Sequence, residues 1–410
     1  MNGTAGSHLS KIRRLFFLLP LMVAIACVSV RVQSTDVKNI DLVEHALCGK
    51  SVAMLGESPV HGFGETLEFK VELVHRLVQE CHYNALFIES GMYDFVHIEA
   101  LSATGRDVTD AMISSAIGGL WSNEEVQPLV PFLEEKMKTG SFVLRGLDDQ
   151  IGRDSYASRG MSSDLVRYLF GDERSRCLGI LQKHMGWQYS DDAPYGPTDK
   201  AKIVGCLEEI RGKLSQPEVK QQREAEEDKA MIASLERNLA RNFTEDDFTK
   251  NDQEVKWDND RDRSMYLNFK EQFSQLPRGS KVIVWAATVH LAKTLTNVNG
   301  FKGTVPFGFY IEKDFGDRAY ALGFSAYSGE YAFVHQPVRQ LDIAPDASLE
   351  GLAFAHNSFN EIFLSKKELQ RYSSVAARPL GNRFESMRWD KVVDGLVVFR
   401  KEHAPAWLSH

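Results

Sequence analysis

The sequence predicts an α/β fold, in which a central, mostly parallel sheet is flanked by helices and carries an inserted helical lobe. Three observations lead to this prediction. Short apolar runs typical of buried strands recur along the 410-residue chain, amphipathic segments separate them, and one long polar stretch interrupts the alternation. Because a strand, a helix and a second strand in succession form a βαβ unit, the neighbouring strands are expected to run parallel.

The first such unit lies near the beginning of the globular part. The run SVAML at 51–55 is a compact apolar segment that ends at Gly56. The segment ETLEFKVELVHRLVQE at 65–80 repeats apolar side chains at helical spacing, and NALFIE at 84–89 is a second short apolar run. Strand, glycine-rich loop, helix and strand therefore follow in order.

Four later runs supply the remaining predicted strands. SFVLRGLDD at 141–149 and KVIVWAATVH at 281–290 are apolar enough to be central parallel strands. The runs at 319–326 and 395–401 are expected to complete the sheet at its edges.

The polar, helix-prone region between the third and fourth strands predicts an insertion. It spans about 155–262, is dense in Glu, Lys, Arg and Gln, and is best interpreted as a solvent-facing helical lobe or a lid. The chain therefore divides into an N-terminal signal or anchor at 1–35, a first part of the α/β core at 36–154, this insertion, and a second part of the core at 263–410.

The N-terminal segment has the pattern of an export signal. Lys11, Arg13 and Arg14 precede the apolar run LFFLLPLMVAIACVSV, which contains a small-x-small pattern ending at Ala26. Cleavage there would leave Cys27 at the new N-terminus, where a lipid is attached in bacterial lipoproteins, and an uncleaved anchor helix is the alternative. The protein is therefore expected to be periplasmic, secreted or membrane-anchored.

Composition and cysteine spacing exclude several classes of protein. The hydrophobic content of 43% and the charged content of 25% are globular values, and a net charge of -8 without a long basic run excludes nucleic-acid binding. The cysteines of the body are not spaced as C-x-x-C, which excludes a zinc ribbon or a thioredoxin-type centre. Disulfides and buried free thiols both remain open for Cys48, Cys81, Cys177 and Cys206.

Acidic and histidine side chains follow each of the four predicted core strands. The first strand is followed by Glu57 and His61, the second ends in Glu89, the third in Asp148, and the fourth reaches His290. Each residue alone is explained as a helix cap or a turn residue. Ligands, however, bind beyond the carboxyl ends of strands in open α/β sheets, so the recurrence at four strand ends predicts a common site.

These groups are suited to proton transfer. A histidine beside carboxylates takes a proton from water, and a second histidine donates to a developing oxyanion or leaving group, which predicts a hydrolase. The same set, His61, His290, Glu57 and Glu89, is an alternative ligand set for a divalent metal, although no H-E-x-x-H spacing is present. The motifs G-x-S-x-G, Walker A and G-x-G-x-x-G are also absent from the sequence.

Several motifs together resemble one known family. LGESPVHGFGETLEFK, ALFIES, GLDDQ, RDRSMYLNF and VIVWAATVHLAK, in this order, resemble the erythromycin esterase family over roughly residues 45 to 400. The landmarks of that family are G-E-x-x-H-G, a strand-end Glu, G-x-D, R-D-x-x-M and W-A-H-N-x-H. The resemblance implies an α/β body with a helical insertion over a deep cleft. It also implies hydrolysis of a cyclic ester, such as a macrolide lactone, without an obligatory metal or other cofactor.

The resemblance also implies catalytic roles for four residues. His61 matches the general base, and Glu57 and Glu89 match the acids that orient it and polarise the water. His290 matches the second histidine of W-A-H-N-x-H. The partner is then a small-molecule ester, and a response to macrolide antibiotics is the expected biological setting.

Three further residues are candidates for substrate binding. Glu65 matches a family glutamate just downstream of the His-Gly pair, although it is also a favourable first-turn residue of the predicted helix. Asp148 lies in the G-x-D segment, and Arg261 opens the R-D segment.

Two departures from the family pattern leave other functions open. The first motif reads G-E-x-x-x-H-G, one residue longer than the pattern, so its loop must bulge to keep Glu57 and His61 in place. Ala287 and Thr288 replace the His and Asn of W-A-H-N-x-H. Because loss of one transition-state donor costs roughly 100-fold or more in rate, a non-catalytic receptor for a haem-like ligand and a metal-dependent hydrolase are alternatives.

Overall fold

The architecture is that of an α/β protein, as the sequence predicts. A computed structural model describes residues 38–220, 223–241, 251–295, 298, 300–356 and 358–408. The predicted export signal at 1–35 lies outside these residues. From residue 38 onward the chain forms one compact unit.

Seven strands form the central sheet. They are β1 (Val52–Leu55), β2 (Ala85–Gly91), β3 (Val143–Asp148), β4 (Val282–Trp285), β5 (Ala319–Ala326), β8 (Glu361–Ser365) and β11 (Gly395–Phe399). Their order is β3-β2-β4-β1-β5-β11-β8, and every neighbouring pair is parallel except β11 and β8. Two hairpin-like sheets pair β6 (Gly329–Tyr331) with β7 (Arg339–Leu341), and β9 (Val375–Ala377) with β10 (Glu385–Met387).

Two expectations about strand position are wrong. The third predicted strand, β3, lies at an edge, while the two runs expected at the edges form the interior strands β5 and β11. Helices cover β3, and almost all of its side chains are buried. The sequence of an edge strand that is buried in this way has the apolar pattern of a central strand. The other edge is β8, whose half-buried side chains gave no strand signal in the sequence.

Helices cover both faces of the sheet and continue between β3 and β4. The helices before β4 are α1 (Asn39–Cys48), α2 (Gly64–Gln79), α3 (Met92–Ala103), α4 (Asp110–Ile117), α5 (Leu129–Lys138), α6 (Tyr156–Arg159), α7 (Met161–Leu165), α8 (Gly171–Met185), α9 (Pro197–Leu214), α10 (Pro217–Lys220), α11 (Arg223–Ala240) and α12 (Asn251–Ser274). Those after β4 are α13 (Thr288–Leu291), α14 (Phe307–Phe315), α15 (Leu349–Phe354), α16 (Lys366–Leu369) and α17 (Trp389–Val392).

Alternation along the strands divides the interior into two cores. In β1, Ala53 and Leu55 belong to the core that also contains α2, whereas Val52 and Met54 belong to the core that contains α14. A third apolar cluster joins α7, α8, α9 and α11, between β3 and β4 in the sequence. The last helix of this region, α12, runs across the predicted boundary at 262 and packs on β3.

Two disulfides connect helices. Cys48 pairs with Cys81 across the ends of α1 and α2, and Cys177 pairs with Cys206 between α8 and α9. None of the helices in the described part of the chain combines the length and apolar character needed to span a bilayer.

Candidate active site

The site lies at the carboxyl ends of four adjacent strands. β1 and β4 are neighbours, yet the chain leaves β1 toward α2 on one face and leaves β4 toward α14 on the other. Connections that depart to opposite faces leave a crevice at the strand ends, which is where open α/β sheets bind ligands.

Glu57 and His61 form a hydrogen-bonded pair in the loop after β1. Glu57 Oε1 and His61 Nδ1 are 2.7 Å apart, and both side chains are buried. The extra residue of the motif is absorbed by a turn in which the His61 amide donates to the Ser58 carbonyl oxygen at 2.9 Å. His61 takes a left-handed backbone conformation with φ 51°, which costs strain for a residue other than glycine and is common where function fixes a side chain.

Glu57 has two further partners, which sequence reasoning did not identify. Lys70 Nζ on α2 donates to Oε2 at 2.8 Å, and Trp121 Nε1 donates to Oε1 at 2.8 Å. Burial raises the pKa of Glu57, but Lys70 and His61 outweigh burial and leave that pKa below its ordinary value. Burial lowers the pKa of Lys70 to about 8, against the opposing effect of Glu57. Glu57 is therefore a carboxylate at neutral pH.

A second cluster surrounds Arg261, on α12. Its Nη2 donates to Asp148 Oδ2 at 2.6 Å and to Glu89 Oε1 at 2.9 Å, and its Nη1 lies 3.0 Å from His290 Nε2. Burial lowers the pKa of Arg261, but Asp148 and Glu89 outweigh it and raise that pKa. Burial likewise raises the pKa of Glu89, and His290 and Arg261 outweigh it, so the pKa is held well below its ordinary value. Three predicted strand-end groups thus meet at one guanidinium.

His290 is held between carboxylates. Its Nδ1 lies 3.0 and 3.1 Å from the two oxygens of Asp262, and its Nε2 lies 3.2 Å from Glu89 Oε1. Burial lowers the pKa of His290, but Asp262 and Glu89 outweigh burial and raise it to about 10. His290 therefore keeps its proton at neutral pH, which suits it to stabilise negative charge rather than to act as a base.

The turn after β4 joins the two clusters. The Thr288 amide donates to the Glu57 carbonyl oxygen at 2.7 Å, and the Ala287 amide donates to Glu89 Oε2 at 2.8 Å. A Cβ on Gly56 would stand 2.5 Å from Thr288 Oγ1 and 2.9 Å from the Leu322 carbonyl oxygen, so this close approach requires glycine. β4 ends at Trp285, earlier than the predicted run, and His290 lies in the short helix α13.

Glu89 and Glu65 have different contacts from those that the sequence predicted. The carboxylate of Glu89 bonds to Arg261 and Ala287, and within the described residues it makes no hydrogen bond to His61. Glu65 lies in the first turn of α2 with 46% of its side chain exposed, and it faces His403 at 3.5 Å. It joins neither cluster.

Lys70, Trp121 and Asp262 are the site residues that sequence reasoning missed. Lys70 lies in the buried stripe of α2 between Leu67 and Val71, and a lysine at such a position is a signal for a buried ion pair. Asp262 is the aspartate of the R-D segment that Arg261 opens, and the sequence motif gave it no separate role. Trp121, in a short 3-10 turn at Gly119–Trp121, had no local signal.

The four residues proposed as metal ligands fit a divalent cation poorly. Arg261 already lies against both Glu89 and His290, and Lys70 already neutralises Glu57, so an added cation would be repelled. Within the described residues, one group brings three metal-binding side chains within 4.8 Å, namely Glu44, Cys48 and Cys81. Its two cysteines form a disulfide and are not thiolates.

Comparisons with known proteins find relatives of this chain in sequence and in fold. A curated relative from Bacillus subtilis (strain 168), named "Putative hydrolase YbfO", is 22% identical over 314 residues, which is 71% of this chain and 68% of the relative. A Bacillus cereus protein of known structure has a TM-score of 0.67 at 17% identity, covering 91% of this chain and 94% of its own. A succinoglycan biosynthesis protein has a TM-score of 0.65 at 14% identity, covering 90% and 92%.

An erythromycin esterase variant, EreC in its open conformation, shares the fold with a TM-score of 0.63 at 13% identity, covering 88% of this chain and 93% of its own. The family model for erythromycin esterase matches residues 78–401, a range that begins after the loop of Glu57 and His61. That range is well over half of the chain, and it contains Glu89, Asp148, Arg261 and His290. The chain therefore belongs to the erythromycin esterase family.

Proposed function

We propose that this protein is an exported esterase that hydrolyses carboxylic esters with a water molecule activated by His61. The observation that carries the proposal is the contact of 2.7 Å between Glu57 Oε1 and His61 Nδ1. A carboxylate at this distance fixes the proton on Nδ1, so Nε2 is the nitrogen that accepts a proton from water.

The reaction follows from this tautomer. Water transfers a proton to His61 Nε2 while its oxygen bonds to the ester carbonyl carbon, and the carbonyl oxygen becomes an oxyanion. The oxyanion then collapses, the bond between carbon and the alcohol oxygen breaks, and His61 returns the proton to the leaving alcohol. One ester and one water give one acid and one alcohol.

Two buried cations support stabilisation of the oxyanion. Arg261 and the protonated His290 each expose 13% of their side chains, so both are largely shielded from solvent. Charges fixed before the reaction stabilise a developing oxyanion more strongly than water does. Together they offer a substitute for the imidazole that Ala287 lacks.

A macrolide lactone is the first substrate to test. The names of the family and of one structural neighbour, an erythromycin esterase, both indicate erythromycin as a substrate of relatives. Because Ala287 removes one donor of the family pattern, we expect slower turnover of macrolides than of activated aryl esters. A response to macrolide antibiotics would follow from macrolide turnover alone.

Export is supported by the two disulfides. Disulfides persist in oxidising compartments such as the periplasm and the cell exterior. The predicted signal or lipid anchor at 1–35 supplies the route, and membrane attachment would depend on that segment. We therefore propose a periplasmic, secreted or membrane-anchored protein.

The decisive experiment compares His61→Ala with wild type on a panel of macrolides and aryl esters. We expect kcat/KM to fall by about 1,000-fold because the general base is lost, while the melting temperature stays nearly unchanged. His82→Ala is the matched control, since His82 is also a non-glycine residue with positive φ, at 61°, and is exposed. Equal activity of His61→Ala and wild type would contradict the proposal.

A chelator separates this mechanism from the metal-dependent alternative. The side chains of Lys70 and Arg261 already balance the charges of Glu57 and Glu89, so we expect full activity after exhaustive chelation. Elemental analysis then verifies that the protein contains no metal. Activity lost on chelation and restored by a divalent metal would favour the metal-dependent hydrolase. Absence of turnover on every substrate would favour the ligand-binding alternative.

A further inference from the structure

A small cavity lies beside the loop that carries Glu57 and His61. It is partly open, and its volume of about 20 Å³ accommodates one group the size of a water molecule. We call this space the Glu402 cavity. Its wall includes Ser58, Phe63, Thr66, Leu341, Asn382 and Glu402. It lies beyond the carboxyl ends of β5 and β11, on the side of β1 away from Arg261.

Polar atoms in the cavity wall have unused hydrogen-bonding capacity. Ser58 Oγ and Asn382 Oδ1 are buried, and neither has a hydrogen-bond partner among the described residues. Ser58 is only 8% exposed, so its hydroxyl is largely removed from bulk water. A buried polar atom without a partner costs roughly 1 to 3 kcal/mol, so both atoms favour a ligand that bonds to them.

Glu402 contributes a neutral carboxyl group to the same cavity. It is 1% exposed, and its Oε1 accepts a hydrogen bond of 2.6 Å from Thr66 Oγ1. Burial raises the pKa of Glu402 to about 8, because the hydrogen bonds from Thr66 offset only part of the desolvation. Near neutral pH Glu402 therefore has an O–H that donates a hydrogen bond.

The charge of the neighbouring Arg378 is directed elsewhere. Its guanidinium donates to the backbone carbonyl oxygens of Ala326, Tyr327 and Asp342 at 2.8 to 3.1 Å. The hydroxyls of Thr66 and Ser325 in the wall already bond to Glu402 and Glu350. The cavity thus offers the unpaired Ser58 hydroxyl, the unpaired Asn382 amide oxygen and one protonated carboxyl, with apolar walls from Phe63 and Leu341. A neutral group that both donates and accepts hydrogen bonds matches this set, and a hydroxyl is the smallest such group.

We propose that the Glu402 cavity binds a hydroxyl group of the ester substrate and so selects hydroxylated esters over their deoxy analogues. Ser58 directly follows Glu57, and its carbonyl oxygen accepts the His61 amide at 2.9 Å, so the cavity and the proposed base are parts of one loop. A Cβ on Gly62 would overlap the Ala332 carbonyl oxygen, so this loop packs closely against the backbone of the segment that contains Ala332. The proposal rests on the proposed esterase function for its substrate class.

Binding without turnover tests the cavity directly. The intact chain carrying His61→Ala is titrated by NMR with methyl butanoate and with its 2-hydroxy and 3-hydroxy derivatives. We expect one hydroxy ester to bind about five- to tenfold more tightly than methyl butanoate, as one or two added hydrogen bonds give. Adding Ser58→Ala should reduce this ratio to about twofold or less. Equal binding of all three esters would overturn the proposal.

A matched serine controls for the loss of a buried hydroxyl. Ser162 is 1% exposed and its Oγ also lacks a partner among the described residues, but it lies in α7, outside the cavity wall. Ser162→Ala should keep the full preference, and loss of preference in both serine variants would overturn the assignment to this cavity. Preferential binding without hydrolysis by wild type would refute the esterase function alone, whereas hydrolysis without any preference would refute the cavity alone.

Discussion

Glu57 joins three other side chains of the site. Its Oε1 accepts from His61 and Trp121, and its Oε2 accepts from Lys70. All four side chains are buried, so the carboxylate has its charge balanced and its orientation fixed before a substrate binds. The position of His61 therefore depends on an ion pair that the sequence motif does not include.

The variant Glu57→Gln removes the negative charge of this side chain while keeping nearly its size and shape. Glu57→Gln leaves the Lys70 ammonium buried without a counter-charge, so we expect the free energy of unfolding to fall by about 3 kcal/mol. Adding Lys70→Met should restore part of that loss, because the buried pair is then replaced as a whole. Urea denaturation of the two single variants and the double variant measures the coupling. Strictly additive effects would show that the pair is not energetically coupled.

At single positions, the sequence predicted the acids and histidines but not their partners. Glu57 and His61 are four residues apart, and a loop motif is sufficient to predict that they meet. Trp121 is 64 residues from Glu57, and Asp262 is 28 residues from His290, so both contacts depend on how helices dock. The loss of an imidazole at Ala287 stays a prediction, but the backbone amide of Ala287 donates to Glu89, a contact that side-chain identity does not reveal.

At the scale of elements, strand ends were more predictable than sheet position. A short apolar run that ends in a polar strand-end group can be recognised from the local sequence alone. This pattern predicted the strands β1, β2, β3 and β4. Whether such a strand is central or at an edge depends on the helices that cover it, as β3 shows. Arg261 was a predicted site residue, but the polar pattern of α12 did not indicate that Arg261 and Asp262 would contact β2, β3 and α13 together.

The contact of α12 with α13 should make stability depend on pH. Because the pKa of His290 rises from 6.5 to about 10 on folding, the folded protein binds this proton more tightly than the unfolded chain. The resulting stabilisation is fully present below about pH 6.5 and is lost as the pH rises to about 10. Its size is on the order of 5 kcal/mol across this interval.

His290→Asn isolates this contribution from other titrating groups. We expect the difference in unfolding free energy between wild type and His290→Asn to be largest near pH 6.5 and to shrink toward pH 10. Chemical denaturation at closely spaced pH values measures both proteins under the same conditions. A difference that stays constant with pH would mean that His290 is not protonated preferentially in the folded state.

For the whole molecule, the fold is shared with proteins of very different sequence. The chain shares its architecture with an erythromycin esterase variant over 88% of its length at only 13% identity. A buried two-core sheet tolerates many apolar exchanges, so the architecture is compatible with this divergence in sequence. Under the proposed function, the choice of substrate would depend on a few positions such as Ala287 and the wall of the Glu402 cavity, which the fold does not determine.

The two disulfides link the proposed location of the molecule to its stability. Cys48–Cys81 and Cys177–Cys206 close loops with sequence separations of 33 and 29 residues, so each restricts the unfolded chain by roughly 3 to 4 kcal/mol. Peptide mapping of exported protein should find both cystine pairs, and reduction should lower the melting temperature. Cys177→Ala with Cys206→Ala is the control, since only Cys48–Cys81 remains to be reduced, and the shift on reduction should become smaller. Four free thiols in exported protein would contradict both the pairing and this source of stability, because an oxidising compartment leaves no reason for adjacent cysteines to stay reduced.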